Sequence, residues 1–216
     1  FKPGPGLFRF ILAFMVLIFH TISFFPLGHY AVYVFFMLSG YWIFKMFEEK
    51  YSRYTRAYWV YIRSRLLRVV FVYWLVMILA MITFFITNAI LNNNSWQQFS
   101  LTEILIKNLL ILGINSSPIM FISPAWSLDI EIQFYLLAPL FILLRKYIGI
   151  KAQFFLSILL LAVILYLVPH SRRMSSLFLY LPFFLSGAWL YYSGKIFSAF
   201  SSRLFLLIAA AVIVVN

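Results

Sequence analysis

The 216-residue sequence has no cysteine and only 5 acidic residues, and charged residues of both signs make up 10% of it. The missing cysteine excludes disulfides, a thiolate nucleophile and cysteine-ligated metal. No HExxH pair, glycine-rich phosphate loop or Gly-x-Ser-x-Gly elbow occurs, so the signatures of zinc peptidases, P-loop enzymes and α/β-hydrolases are missing. No metal site and no resident cofactor is expected. No small-residue cleavage site follows the first apolar segment, which therefore reads as a retained span and not as a signal peptide. A soluble domain has about a quarter of its residues charged. This chain falls far short of that, which excludes a soluble globular domain.

Apolar residues take the place of the missing charge: 65% of the chain is hydrophobic, 21% is aromatic and the mean hydropathy is +1.00. A membrane-spanning helix needs about 20 mostly apolar residues. Such segments run over residues 7–25, 30–47, 69–89, 125–144, 154–168 and 177–192, and a further one begins at 204. The expected fold is all-α, a polytopic transmembrane helix bundle with about seven spans. Residues 88–100 are polar, with Asn92, Asn93 and Asn94 in a row and Trp96 at a boundary position. Residues 101–113 have helical periodicity but are too short to cross, so they read as an interfacial or re-entrant helix. There is no internal repeat, and residues 1–216 read as a single transmembrane domain.

The net charge is +12, from 17 basic residues. In a soluble protein this would suggest nucleic acid. In a membrane protein, basic residues gather at the cytoplasmic ends of spans, and nucleic acid is not an expected partner. With a cytoplasmic N-terminus and alternating segments, the inside set is Lys2, Arg9, Lys45, Lys50, Arg53, Arg56, Arg63, Arg65, Arg68, Arg145, Lys146, Lys151, Lys195 and Arg203. Only Lys107, Arg172 and Arg173 fall outside. The asymmetry favours a cytoplasmic N-terminus.

Two of the five acids, Asp129 and Glu131, lie just inside the segment that begins at Ala125. An ionisable group within the hydrocarbon region costs a few kcal/mol or more, so it is a functional candidate unless the acids are merely interfacial. His20 is the other candidate. Counted at 1.5 Å per residue, it lies roughly 20 Å from the cytoplasmic face, and Glu131 lies roughly 9 Å from the opposite face. The two would share a depth if their helices are neighbours. A histidine beside a carboxylate suits general-base work; a lone one serves equally as an interhelical hydrogen-bonder. Arg65 and Arg68, three apart, form a cationic patch with Arg63. Arginine suits phosphate, and the same patch also serves as a topology signal or an anionic-lipid contact. Ser39-Gly40 sits within a span, where small residues permit close helix packing.

In this order the pieces resemble the acyltransferase-3 family of membrane O-acyltransferases. Arg9 and His20 are spaced like its Arg/Lys-x10-His. Residues 34–41, which contain Ser39 and Gly40, look like its Phe-Phe-x-x-Ser-Gly-Phe. Arg65 and Arg68, followed by Tyr73-Trp74, look like its Arg-x-x-Arg. The run from Trp126 and Ser127 through Glu131 and Tyr135 to Pro139 looks like its Trp-Ser-Leu-x-x-Glu-x-x-Phe-Tyr-x-x-x-Pro.

The resemblance implies transfer of an acyl group, acetyl by preference, from cytoplasmic acyl-CoA as co-substrate to a hydroxyl of a cell-surface glycan or lipid-linked sugar. It implies His20 and Glu131 as the catalytic pair, with Asp129 as the weaker alternative, and Arg9, Arg65 and Arg68 on the donor side. It also implies a bacterial inner (plasma) membrane and about ten spans in all, so a chain ending inside its seventh would be truncated at its C-terminus. The rival reading is a transporter or flippase of a polar or lipid-linked solute, with the intramembrane ionisable groups as a path. Inverted repeats and paired broken helices would mark it, and neither is evident in the sequence. A non-catalytic scaffold would scatter its polar residues without a shared depth.

Overall fold

In lipid, every backbone N–H and C=O must find its partner within the segment, so long uncharged runs become helices. The computed structural model describes residues 5–22, 27–93, 95–168 and 176–194. These form α1 (Pro5–Ile22), α2 (Leu27–Glu49), α3 (Ala57–Ile90), α4 (Leu101–Leu110), α5 (Ala125–Leu167) and α6 (Leu177–Tyr192). Short 3-10 turns lie at Tyr51–Arg53, Ser95–Gln98 and Ile114–Ser116, and no strand occurs among the described residues. Three helices are long and apolar enough to cross a membrane: Tyr30–Arg53 (α2 with the turn after it), α3 and α5; α6 is a shorter apolar helix. The chain is an all-α transmembrane helix bundle. The expected segment from 204 lies outside the described residues.

Two expected boundaries are revised. The segment expected from residue 69 begins earlier: α3 starts at Ala57 and runs for 34 residues. At about 1.5 Å per residue it is roughly 51 Å long, well over the ~30 Å hydrocarbon layer, so its basic first turns extend beyond the apolar layer. The segments expected at 125–144 and 154–168 are joined in α5 and meet at Gly149, where φ 62 and ψ 158 break the helix. Only glycine occupies that region readily, so one residue makes the corner.

The chain divides into two compact units. The first comprises Phe1–Met46, Ile142–Leu161 and Tyr180–Asn216. In it α1 packs on α2 through Leu12, Ala31 and Leu38. Helices α2 and α6 are in backbone contact: a Cβ on Gly40 would collide with the Phe184 carbonyl, and one on Gly187 would collide with the Met37 carbonyl. Rings stack on both sides of these glycines, Tyr33 on Phe183 at 4.6 Å and Phe36 on Phe184 at 4.7 Å. The Arg145 guanidinium lies 4.2 Å over the Tyr192 ring.

The second unit comprises Phe47–Phe141 and Ala162–Leu179. Its core joins Tyr73 and Met77 of α3 to Ile111, Ile114, Ala125 and Ile132. Trp96 packs on Phe85 at 5.2 Å, near the far end of α3. At the other end of α4, Tyr73 Oη donates to Asn108 O and Trp74 Nε1 to Leu109 O, each at 2.9 Å. From Phe85 back to Trp74 is about 17 Å of helix. Helix α4 therefore descends alongside α3, turns at residues 111–116, and hands over to an α5 whose first residue is already level with Met77. Of the two readings open for residues 101–113, packing along the apolar part of α3 supports the re-entrant one.

Candidate functional site

A re-entrant turn puts non-helical backbone at depth, which is tolerated only where its polar groups are satisfied by protein. Two side chains do most of this. Asn108, fully buried, donates from Nδ2 to Ile104 O and Ile119 O, each at 2.8 Å, and its Oδ1 accepts from the Phe121 amide at 3.1 Å. Asp129, 1% exposed, accepts from the Gly113 amide at 3.0 Å, from Asn115 Nδ2 at 2.8 Å and from Gln133 Nε2 at 2.9 Å. Gln133 Oε1 accepts in turn from the Leu177 amide at 3.0 Å. These bonds hold a strained turn, in which buried Ile111 has φ 62 and Gly113 has φ 82. Asp129 is thus occupied as a clamp, the bland role of the two that a buried carboxylate can have.

Glu131, 6% exposed, is differently placed. Tyr135 Oη, one turn on, donates to its Oε1 at 2.7 Å. Tyr61 of α3 interacts electrostatically with Glu131 and with Arg65, one turn on along the same face, and Tyr135 interacts with all three. Arg65 is 7% exposed, yet its Nε has no hydrogen-bond partner among the described residues. Arg68 is exposed, as is Arg63. The three-residue spacing puts Arg65 and Arg68 on one side of the helix, but about 60° apart, and only Arg65 turns inward.

The depth reckoning for Glu131 changes. Counting from Ala125 assumed that α5 begins at the membrane face opposite the basic one. The start of α5 is sunk beside Met77, and Glu131, roughly 9 Å further along α5, approaches the turn of α3 that carries Arg65. That turn is roughly 12 Å from Ala57 and roughly 38 Å from Ile90. The carboxylate therefore belongs with the basic end of α3.

The remaining expected residues fall as follows. Ser39 is buried and Gly40 is a packing contact. Trp126 and Ser127 are half-buried in the first turn of α5, where Ser127 Oγ donates to Pro124 O at 2.9 Å. Arg9 and His20 occupy α1, but their side chains lie outside the described residues. No group of three or more histidine or acidic residues able to hold a metal occurs among the described residues. Sequence reasoning missed Tyr61, Asn108 and Gln133. The signals were available for the first two: a tyrosine four before a buried arginine, and an asparagine within a short apolar helix.

A buried arginine, glutamate and two tyrosines in apolar helices can bind an oxygen-rich group and move a proton, which suits acyl transfer. The comparison with known proteins is in keeping with this. No curated protein and no solved structure matches the chain. The family model described as an acyltransferase domain matches residues 3–215, essentially the whole chain. The chain belongs to the acyltransferase-3 family and is a membrane acyltransferase.

Proposed function

We propose that this protein moves an acyl group, acetyl by preference, from cytoplasmic acyl-CoA to a hydroxyl of a cell-envelope glycan or lipid-linked sugar, in a bacterial plasma membrane with its N-terminus inside. The observation that carries this reading is the burial of Glu131 and Arg65 in one electrostatic cluster between apolar helices. Buried ionisable groups are costly, and that cost marks them as functional candidates. The cluster lies at the basic end of α3, which positive-inside topology makes the donor side. Arg68 and Arg9 would meet the phosphates of the donor, arginine being suited to them by its planar fork, with Arg65 on the same donor side.

His20 would take the proton of the acceptor hydroxyl, and Glu131, tied by Tyr135, would be the second catalytic group, at the donor end. Asp129, held by three donors, is the weaker candidate. Incubation of purified protein with radiolabelled acetyl-CoA and an envelope-glycan acceptor tests the reading. Thioester consumption matched by label in the glycan is expected, and His20→Ala should abolish both while leaving the protein in the membrane. Intact protein that leaves the thioester untouched would end the proposal.

A further inference from the structure

Tyr61 belongs to none of the motifs of the sequence, yet it is the most constrained side chain of the cluster. It is 0% exposed. Its ring is held edge-on by Phe47 at 5.3 Å and by Tyr51 at 5.5 Å. Tyr51 is fixed in turn, its Oη donating to Ser64 Oγ at 3.0 Å. Edge-to-face contacts of this kind set a ring's orientation. The hydroxyl so placed makes no hydrogen bond among the described residues, and neither does the Nε of Arg65, one turn on along the same face. A buried polar group without a partner carries a desolvation cost, and two together beside a carboxylate point to a ligand atom that accepts from both.

We propose that the Tyr61 hydroxyl and the Arg65 Nε–H donate to the carbonyl oxygen of the acyl donor, forming its oxyanion site. The inference rests on the acyl-CoA reading above and deepens it. The acceptor oxygen adds to the carbonyl carbon, and the C=O electron pair moves onto the oxygen that Tyr61 and Arg65 face. The pair returns as the C–S bond breaks. The proton lost by the acceptor to the base ends on the departing sulfur. Donors fixed before the reaction stabilise the developing charge without reorganising. A carbonyl, unlike a phosphate, needs only one or two neutral or singly charged donors, and Tyr61 offers no positive charge.

The test compares acetyl-CoA with its carbonyl-free thioether, S-ethyl-CoA, on the intact membrane protein. Unmutated protein should bind acetyl-CoA about tenfold more tightly, the worth of one good hydrogen bond to a carbonyl. Tyr61→Phe should reduce that preference, leave S-ethyl-CoA binding unchanged, and lower kcat by about 10²–10³-fold, with a donor KM that rises by no more than the lost preference. Arg65→Lys, which keeps the charge but not the Nε–H, should reduce the preference in part. A Tyr61→Phe protein with unaltered kcat and preference overturns the proposal. So does unmutated protein that turns over acetyl-CoA but binds both probes equally, a result needing no variant. Unmutated protein that binds neither probe overturns the acyl-CoA reading itself, and this inference with it.

Discussion

The Asp129 carboxylate accepts a 3.0 Å hydrogen bond from the backbone amide of Gly113, across sixteen residues of chain. This bond, with those from Asn115 and Gln133, fixes where α5 begins and therefore where Glu131, two residues on, comes to lie. The two acids of one short motif have separate duties: one builds the turn, and the other joins the buried cluster.

Asp129→Asn should therefore damage stability before chemistry. The amide keeps one acceptor but turns a donor toward Asn115 or Gly113, leaving a buried mismatch worth about 1–3 kcal/mol. A lowered unfolding temperature in detergent is expected, with most of the specific activity of the folded fraction retained. Full stability with abolished turnover would make Asp129 a chemical participant instead.

Asn108→Ala removes donors to two carbonyls and the acceptor of the Phe121 amide. The re-entrant segment should loosen while the long helices stay formed. Hydrogen exchange measured by mass spectrometry should rise selectively over residues 111–121, and uniform exchange across the chain would contradict the hub role.

Glu131→Gln should lower turnover by at least about a hundredfold, the usual worth of a positioned acid or base. Tyr135→Phe removes only the 2.7 Å bond to it and should cost about tenfold, the low end of the about 1.5–3 kcal/mol that a hydrogen bond to a charged group is worth, because the bond positions the acid without entering the chemistry. A Tyr135→Phe loss as large as that of Glu131→Gln would mean that the tyrosine has a role of its own.

Gly40→Ala and Gly187→Ala each place a methyl group inside the facing carbonyl. Overpacking of this kind costs about 1–3 kcal/mol, and more where only backbone can yield. Thermal unfolding of the purified variants should show each alone strongly destabilised. Variants as stable as the parent would mean that α2 and α6 are not in backbone contact.

Much of this protein was legible in sequence because lipid imposes a blunt rule. Nearly charge-free runs of sufficient length must be helices, and the runs at 30–47, 69–89 and 177–192 all lie within helices. The family was legible too, since its motifs are short and local. What sequence left open was set by contacts between distant residues. Whether residues 101–113 lie on the membrane or dip into it depended on Tyr73 and Trp74 meeting the end of α4. Whether Arg65 or Arg68 turns inward depended on what packs against α3. The depth of Glu131 was misjudged because counting along one helix assumes a starting level, and that level is fixed by the Asp129 clamp. Composition and periodicity determined the helices and the solvent they live in; only the tertiary structure decided which ionisable groups share a site, because burial and hydrogen bonding are properties of neighbours brought together by the fold.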